Sequence, residues 1–303
     1  MGEFVAVNEV GPRDGLQNQP RILAPAQRLQ LIEALLDAGL RHIEFGSFVS
    51  PKAVPAMAGS DELAAQLPMD RGEFSALIPN RKGYELARAA GVRSMMLVVA
   101  ASDTMNQKNI RMSTADALAA CADVLAQART DGADVQACVA TAWECPFEGA
   151  TPPDRVSELT ARLLADGASR IVVADTIGAA HPGQVRAFMQ RLVGEVGSAK
   201  LSCHFHDTRA MGVANAYAAL EAGIRRFDAS IGGLGGCPFA PGATGNVATE
   251  DLVMMLKLMG FATGIDIDNL LVASKLAGEL TGAATGGRSL PWLSRNTARL
   301  STH

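Results

Sequence analysis

The sequence predicts an α/β chain folded as a (β/α)8 TIM barrel with a C-terminal helical extension. Eight short apolar runs rich in β-branched residues recur along the chain, and segments with helical periodicity lie between them. The chain has 303 residues, which fits a barrel of about 250 residues plus an extension. Strands joined by helical crossovers are parallel, and eight such units favour a closed barrel over an open doubly wound sheet.

The strand predictions rest on runs that are short enough to be strands. They are also apolar enough to be buried on both faces, as the strands of parallel sheets are. In chain order these runs cover residues 4–10, 42–47, 74–78, 94–100, 135–141, 170–174, 200–205 and 227–231.

The helix predictions rest on apolar residues at helical spacing and on the residues at the ends of each segment. Pro25, Pro153 and Pro182 stand in predicted first turns, and Gly132 and Gly167 follow predicted last turns, as helix ends favour. In chain order the segments cover residues 25–38, 84–90, 114–130, 153–166, 182–193, 212–221 and 248–259.

The prediction divides the chain at residue 265. Residues 1–265 form the (β/α)8 barrel, and residues 266–303 form a C-terminal helix and tail. Helical periodicity covers residues 265–281, whereas residues 282–303 are rich in glycine and carry arginines. We expect this tail to become ordered only against a neighbouring copy, and we expect a homo-oligomer, as a dimer, because barrels with apolar outer helices often pair.

Charge and composition exclude several classes of protein. Lys and Arg number 27 against 31 Asp and Glu, a net charge of −4 without a basic stripe. We therefore expect no nucleic-acid partner and no membrane partner. With 48% hydrophobic and 19% charged residues, the chain is globular rather than disordered. The expected partner is a small molecule.

The chain is expected to be cytoplasmic. No apolar run reaches the roughly 18 residues of a membrane helix, and the first residues show no secretory leader. Five cysteines, an odd number without a Cys-x-x-Cys pair, do not form a disulfide framework. Cys121 and Cys138 are interpreted as small core residues.

Polar side chains follow most of the predicted strands. In such a barrel the chemistry takes place at the carboxyl ends of the strands, where the βα loops begin, so these side chains are the candidate site residues. They are Glu9, Arg13 and Asp14 at the end of strand 1, Glu44 and Ser47 on strand 2, Glu144 and Cys145 after strand 5, Asp175 and Thr176 at the end of strand 6, His204, His206 and Asp207 at the end of strand 7, and Cys237 in the segment after strand 8.

His204 and His206 end strand 7 two positions apart, so both imidazoles point to one face of the strand while Phe205 points to the other. One interpretation is a pair of ligands for a divalent metal, and the other is a structural histidine pair. Asp14 follows strand 1, which only strand 8 separates from strand 7, and it can reach the same ion. One carboxylate and two imidazoles leave room for an amide oxygen, water and substrate, which suits Mg²⁺ or Mn²⁺.

The segment 231–246 is rich in glycine and contains Cys237. A flexible linker is one interpretation, because glycine widens the choice of backbone conformation. A phosphate cradle is another, although the Gly-Lys-Ser/Thr element of such loops is missing. The position of the segment between a strand end and a predicted helix favours a mobile lid that brings the thiol to the site.

Arg13 precedes Asp14 and stays cationic at physiological pH, so it cannot act as a general base. It could stabilise a developing oxyanion, or it could form an ion pair with Glu44 or Asp175 inside the barrel. Both roles are compatible.

Six motifs, in order and at the spacing of the family, resemble 3-hydroxy-3-methylglutaryl-CoA (HMG-CoA) lyase. They are GPRDGLQN at 11–18, SFVSPK at 47–52, DTIG at 175–178, HFHDT at 204–208, GLGGCP at 233–238 and GNVATED at 245–251. The resemblance runs from about residue 5 to residue 265. It implies membership of the TIM-barrel metallolyase superfamily, which includes the isopropylmalate and homocitrate synthases.

The resemblance implies a role for each matching residue. It implies metal ligation by Asp14, His204, His206 and Asn246, with Mg²⁺ or Mn²⁺ as the ion. It implies catalytic functions for Arg13, which would stabilise an enolate, for Cys237, which would transfer a proton, and for Glu44 and Asp175, which would support the site. It implies contacts with substrate or CoA by Arg13, Gln17, Ser47, Asn109 and Thr176, and it makes Glu250 a structural carboxylate of the loop. Arg209, which does not match the family pattern, is a further candidate for binding substrate.

The activity that the resemblance implies is a retro-Claisen cleavage of an acyl-CoA. HMG-CoA, or a closely related 3-hydroxyacyl-CoA, would yield acetyl-CoA and a keto acid such as acetoacetate. Three departures from the family pattern concern the acyl group: Arg209 with Ala210, Phe45 with Gly46, and Gln19. Arg209 could bind a substrate carboxylate or pair with an acidic neighbour, so citramalyl-CoA and longer 3-alkylglutaryl-CoA esters stay open as substrates.

Other classes are weighed against the lyase. A condensing acyltransferase of the isopropylmalate or homocitrate synthase type shares the Arg-Asp and His-x-His elements, but it usually carries a longer C-terminal region. A metal-dependent hydrolase usually has its His-x-His pair after strand 1 rather than strand 7. A ligand-binding barrel without catalysis would not need the polar strand ends. Leucine breakdown, terpenoid breakdown and the breakdown of itaconate-like acids stay open as pathways.

Overall fold

A computed structural model describes residues 2–236, 245–283 and 285–297 of the chain. Eight parallel strands close into a barrel in which each strand pairs with the next along the chain and the last pairs with the first. The predicted TIM barrel is confirmed. The strands are β1 (Ala6–Glu9), β2 (His42–Ser47), β3 (Glu73–Leu77), β4 (Ser94–Ala100), β5 (Asp134–Ala140), β6 (Ile171–Asp175), β7 (Leu201–Phe205) and β8 (Arg226–Ala229).

Helices surround the barrel and connect its strands. A small antiparallel hairpin, which pairs Glu144–Cys145 with Gly149–Ala150, follows β5. The helices within the described residues are α1 (Pro25–Asp37), α2 (Ser60–Ala64), α3 (Arg81–Ala89), α4 (Asp103–Ile110), α5 (Thr114–Asp131), α6 (Pro153–Asp166), α7 (Pro182–Val196), α8 (Gly212–Glu221), α9 (Thr249–Leu258), α10 (Ile267–Thr281) and α11 (Leu290–Asn296).

The side chains of each barrel strand alternate between the helices and the barrel interior, as the period of a strand dictates. On β6, Ile171 and Val173 are fully buried in the core between strands and helices. Val172 and Ala174, the residues between and after them, face the interior. The same alternation makes the interior of the barrel a separate environment that the sequence can specify independently of the core.

Two short elements at the mouth of the barrel have no counterpart in the sequence prediction. Arg13 and Asp14 lie on a single π-helical turn, Gly11–Gly15, rather than on an extended strand end. Helix α4 begins after Ser102, whose Oγ accepts a hydrogen bond from the backbone N–H of Met105 at 3.4 Å. The 5-residue turn is too short to show helical periodicity, and residues 103–110 have only two apolar side chains, Met105 and Ile110, so the sequence pattern does not reveal either element.

The C-terminal helix packs against the first helix of the barrel. The backbone N–H of Asp266 donates to the carbonyl of Ala38 at 2.8 Å. The expectation that the tail is ordered only against another copy is wrong for residues 285–297. Asp251 of α9 accepts hydrogen bonds from the backbone N–H groups of Arg288 and Ser289, at 2.8 and 2.9 Å, and Leu293 of α11 is fully buried. Among the described helices, none combines the length and the apolar character that crossing a bilayer requires.

Candidate active site

A cavity of about 490 Å³ opens at the carboxyl ends of the barrel strands, and its wall has two different halves. The charged half is carried by β7, β8, β1 and β2 and the segments that follow them. It comprises Asn8, Arg13, Asp14, Glu44, His204, His206 and Asp228. The apolar half is carried by β3, β4, β5 and β6. It comprises Leu77, Met96, Val98, Ala100, Cys138, Ala140, Val172 and Ala174.

His204, His206 and Asp14 come together in the charged half. Each offers a ligand atom, and these atoms all lie within 4.8 Å of one another. The two imidazole rings have centroids 5.2 Å apart, while Phe205 points outward and packs on Trp143 at 5.7 Å between ring centroids. Strand alternation therefore places both imidazoles on one face.

Asn246 completes this group from the far end of the glycine-rich segment. Its Nδ2 donates to Asp14 Oδ2 at 2.8 Å and to the carbonyl of Leu234 at 3.0 Å. Gly235 has φ +127°, and a Cβ there would overlap Asn246 Nδ2, so glycine is required at this position. The glycine-rich segment thus serves in part to let the backbone approach Asn246.

Two buried atoms of this group have no hydrogen-bond partner within the part of the chain that the structure describes. They are Asn246 Oδ1 and His206 Nδ1. Buried polar atoms are normally paired, and an oxygen and a nitrogen left unpaired beside Asp14 and His204 are what a divalent metal would use. The residues present therefore fit the metal that the sequence predicts.

Arg13 stands between two carboxylates. Its Nε donates to Glu44 Oε2 at 2.6 Å, and its Nη1 donates to Asp14 Oδ1 at 2.7 Å. Burial works against the cation, but Glu44 and Asp14 outweigh it, so the pKa of Arg13 is raised above its ordinary value. The sequence leaves an ion pair with Glu44 or Asp175 open, and the structure selects Glu44.

Burial and neighbouring charges set the ionisation of the charged half. Burial would raise the pKa of Asp14, but Arg13 and the two histidines outweigh it and lower the pKa to about 2. Burial, and then the charge of His204, lower the pKa of His206 to about 4. Burial raises the pKa of Glu44 to about 7 although Arg13 opposes the shift. At neutral pH Asp14 is therefore a carboxylate and His206 a neutral imidazole, the forms that bind metals.

His204 has a partner that the sequence does not reveal. Its Nδ1 lies 3.1 Å from Asp228 Oδ2, and Asn8 Nδ2 donates to Asp228 Oδ1 at 2.9 Å. Burial opposes protonation of His204, but the hydrogen bond and the charge of Asp228 outweigh it and raise the pKa of the imidazole. A strand register is needed to bring these residues together, so spacing along the chain could not have identified them.

Glu9 anchors the turn that carries Arg13. Its Oε1 accepts hydrogen bonds from the backbone N–H groups of Gly11 and Ile231, both at 2.8 Å, and its Oε2 accepts from Thr249 Oγ1 at 2.6 Å. The side chain is fully buried, and burial raises its pKa to about 7. Glu9 thus joins the turn at the start of the site to Ile231, where the glycine-rich segment begins, and to Thr249, which follows that segment.

Three of the residues that the sequence predicts to bind substrate or CoA, Gln17, Asn109 and Thr176, line the cavity together with Arg13. Ser47 does not line it. It is buried on β2, and its backbone N–H donates to Ser60 Oγ at 3.3 Å.

Asp175 and Arg209 also lie outside the wall of the cavity. The carboxylate of Asp175 accepts the backbone N–H groups of Ala179 and Ala180 at 2.8 and 3.1 Å, and burial raises its pKa to about 6. Arg209 is half exposed, and its Nη2 lies 3.4 Å from Glu144 Oε1. Of the two roles open to Arg209, the structure contains the pairing with an acidic neighbour.

The cysteines divide into two environments. Cys121 is buried, as expected, but Cys138 is not a plain core residue, because its side chain lines the cavity between Val98 and Val172 on the neighbouring strands. Cys237 lies outside the described residues. Glu250, the expected structural carboxylate, is fully buried and accepts the backbone N–H of Gly232 at 3.0 Å.

Comparisons with known proteins agree with this geometry. The family model described as HMGL-like matches residues 5–277. The (R)-citramalyl-CoA lyase of Chloroflexus aurantiacus is 45% identical, over 96% of this chain and 94% of that protein. The hydroxymethylglutaryl-CoA lyase of Pseudomonas mevalonii is 43% identical, over 98% of this chain and 99% of that protein.

A solved structure is similar over nearly the whole fold. It is an HMG-CoA lyase from Acinetobacter baumannii in complex with coenzyme A and 3-methylmalate. The TM-score is 0.92 at 40% identity, covering 97% of this chain and 96% of that one. Since the family model and these relatives match nearly the full length of the barrel, the chain belongs to the HMGL-like family.

Proposed function

We propose that this chain is a divalent-metal-dependent carbon-carbon lyase that cleaves HMG-CoA, or a closely related 3-hydroxyacyl-CoA, to acetyl-CoA and a keto acid such as acetoacetate. The observation that carries the proposal is the meeting of Asp14, His204 and His206 beside Arg13 at the mouth of a barrel. The similarity to lyases that act on CoA thioesters supports it.

Mg²⁺ or Mn²⁺ is the ion we assign to the site, with Asp14, His204, His206 and Asn246 as its protein ligands. A carboxylate, an amide oxygen and two imidazoles suit these ions better than thiolate-loving metals. When bound, such an ion would lower the pKa of the substrate's C3 hydroxyl and orient it.

The chain's own residues stabilise the product side of the reaction. Cleavage between C2 and C3 requires the C3 hydroxyl to lose its proton to solvent, so that C3 becomes the keto group of one product and C2 becomes a thioester enolate, which takes up one proton to give acetyl-CoA. Arg13 places a fixed positive charge at the cavity wall where the enolate oxygen would lie. Glu44 and Asp14 hold its guanidinium, so the charge is oriented before substrate binds. Cys237, which lies outside the described residues, is the group we assign to protonate the enolate. Asp175, bonded to two backbone amides, supports the loop after β6.

CoA thioesters are the ligands we assign to the cavity. Gln17, Asn109 and Thr176 supply polar groups at its wall, and the apolar half offers a dry surface for the acyl chain. Ser47, buried at the end of β2, and Arg209, half exposed outside the cavity wall, would contribute to binding only after a rearrangement around them. The solved complex of a relative with coenzyme A supports this class of ligand.

Citramalyl-CoA is the second candidate substrate. The relative at 45% identity is a citramalyl-CoA lyase, and the same charged half would cleave this ester to acetyl-CoA and pyruvate. The two substrates differ by one methylene between C3 and the distal carboxylate, so the choice depends on distances within the site rather than on a different reaction.

Acetyl-CoA release by metal-stripped protein tests the function. HMG-CoA, citramalyl-CoA and a longer 3-alkylglutaryl-CoA are supplied in turn, with Mg²⁺ or Mn²⁺ added back. We expect metal-dependent cleavage with the highest kcat/KM for HMG-CoA. A higher value for another ester keeps the reaction and changes the substrate. Absence of cleavage of all three contradicts the proposal and favours the condensing acyltransferase.

We also propose a dimer in the cytoplasm. Exposed apolar side chains on three helices near the C-terminus, Leu258, Val272 and Trp292, support a contact between copies. The four described cysteines are all free, which suits a reducing compartment. Light scattering on the purified chain would give the mass of the assembly and contradict a dimer if it returned that of a single chain.

A further inference from the structure

The charged half contains two polar residues to which the proposed reaction gives no role, Asn8 and Asp228. They lie on one level of the barrel, because Asn8 pairs in register with Asp228 across β1 and β8, and Asp228 pairs with His204 across β8 and β7. Their side chains are joined in the same order. Asn8 Nδ2 donates a hydrogen bond to Asp228 Oδ1, and a second hydrogen bond joins Asp228 Oδ2 and His204 Nδ1.

Burial makes this arrangement specific. The side chain of Asp228 is 9% exposed and that of His204 is 12% exposed. Because little water reaches the carboxylate of Asp228, its hydrogen-bond partners are protein groups, and these lie on the two adjacent strands. Asp228 also lies where the upper cavity meets a second, smaller cavity at the opposite end of the barrel. It therefore forms part of the floor beneath the metal ligands.

The direction of the hydrogen bond fixes the state of the imidazole. A carboxylate only accepts hydrogen bonds, so the Nδ1 of His204 must carry the hydrogen that it shares with Asp228. In a neutral imidazole that places the lone pair on Nε2. The same hydrogen bond fixes the orientation of the imidazole ring, because rotation of the ring would deprive the buried Asp228 Oδ2 of its hydrogen-bond donor.

We propose that Asp228 is the positioning residue of the metal site: it holds His204 with Nδ1 protonated and Nε2 aimed at the ion, and Asn8 holds Asp228 in place. The proposal rests on the proposed function, since it requires that His204 ligates a metal. Carboxylates that hold ligating histidines in this way typically contribute 10- to 100-fold to metal affinity.

Asp228→Asn is the informative variant because it keeps size and changes donors. Asn8 would still donate to the oxygen of the new amide, which turns the amide NH₂ toward His204 Nδ1. The imidazole must then accept at Nδ1 and carry its hydrogen on Nε2, where it blocks the ligand atom. Asp134→Asn is the matched control, since Asp134 accepts a hydrogen bond from Ser94 Oγ at 3.0 Å, on an exposed part of β5 at the other end of the barrel.

The experiment measures Mn²⁺ binding to the full-length, metal-stripped proteins by the electron paramagnetic resonance signal of free Mn²⁺. We expect the Kd of Asp228→Asn to rise about 10- to 100-fold and that of Asp134→Asn to stay unchanged. The melting temperature of each metal-free protein is measured alongside, because a structural role alone would lower it without a selective loss of metal. Saturating Mn²⁺ should restore much of the turnover of Asp228→Asn.

The outcomes separate this proposal from the proposed function. Failure of the unaltered protein to bind Mn²⁺ overturns both. Tight binding by the unaltered protein and equally tight binding by Asp228→Asn overturns the positioning role and leaves the lyase intact. If Asp228→Asn does not fold, Asn8→Ala decides: a Kd raised above that of the unaltered protein supports the proposal, and an unchanged Kd overturns it.

Discussion

The two halves of the cavity wall are each built from four consecutive strands, yet they differ in almost every physical property. Most side chains of the charged half belong to two sets of hydrogen bonds and ion pairs. One set runs from Glu44 through Arg13 and Asp14 to Asn246, and the other joins Asn8, Asp228 and His204. The apolar half presents aliphatic and sulfur-containing side chains that contact the cavity without such bonds, as Met96 and Val172 do.

The difference teaches how a barrel separates reaction from recognition. Charge is concentrated where bonds would be broken. The apolar wall opposite lowers the local dielectric constant, which strengthens the electrostatic interactions of those charges with the reacting atoms. Changes in the charged half are expected to abolish the reaction, whereas changes in the apolar half are expected to alter which acyl group is accepted. The substitutions below within the two halves test this division, and the one at Glu9 tests the support beneath the charged half.

The largest effect is expected from His206→Ala, with Val172→Ala as the matched truncation in the apolar half. If His206 ligates a metal as proposed, its loss removes several kcal/mol of transition-state stabilisation, so kcat/KM should fall about 10³-fold or more. Val172→Ala should stay within about tenfold, because it removes only apolar contact. Steady-state assays of acetyl-CoA release would compare the two. Similar losses in both variants would break the division.

Arg13→Lys comes next. Lysine keeps the charge but not the planar fork that contacts Glu44 and Asp14. We expect kcat to fall about 10²- to 10³-fold with a smaller change in KM, because the charge would act mainly on the enolate. The measurement is kcat and KM at saturating metal. A variant with a raised KM and an unchanged kcat would show instead that Arg13 binds the substrate equally well in the ground state and the transition state.

Glu9→Gln tests the folding cost of the buried carboxylate that anchors the turn carrying Arg13. Burial raises the pKa of Glu9 from 4.5 to about 7, so between these values the folded chain keeps a proton that the unfolded chain has released. The contribution of Glu9 to the free energy of unfolding is therefore fully present below pH 4.5, and roughly 3 kcal/mol of it is lost as pH rises through 7.

The variant should lose this dependence, so its free energy of unfolding should gain on that of the unaltered chain between pH 5 and pH 8. Urea unfolding of the metal-free proteins at several pH values gives the comparison. Parallel curves for the two proteins would show that Glu9 keeps an ordinary pKa in the fold.

The smallest effect is expected from Ala140→Leu, which adds bulk to the apolar half. HMG-CoA, with a methyl group at C3, should still be cleaved, while a longer 3-alkyl ester should lose about tenfold in kcat/KM relative to it. Competition between the two esters measures this ratio directly. An unchanged ratio together with a lower rate for both would place the alkyl group elsewhere.

The barrel could be predicted because its signal is repeated. Strand runs such as 42–47 and 94–100 agree with the structure to the residue, and the periodic helices begin and end within a few residues of prediction. The family resemblance is confirmed by the HMGL-like match. Short elements without periodicity escaped, among them the turn Gly11–Gly15 and helix α4.

The candidate site residues could be predicted where they lie close together in the sequence, but not where only the pairing of strands brings them together. His204 and His206 stand two residues apart, so strand alternation alone reveals that they converge. Asp228 lies 24 residues beyond His204 and shows no pattern, because register between strands, not local spacing, makes them neighbours. The position of Cys138 was not predicted for a related reason. Which face of β5 points into the cavity and which points to the core is known only once the barrel is formed.

The register that aligns Asn8, Asp228 and His204 also limits how this enzyme can diversify. In a closed sheet every strand is paired on both sides, so inserting or deleting one residue within a strand would turn inward-facing side chains outward and force its two neighbours to follow. Substitutions at positions such as Ala140 and length changes in the loops escape this constraint. New acyl specificities are therefore expected to arise by residue exchange in the apolar half, while the lengths of the strands that carry Asn8, Asp228 and His204 stay constant.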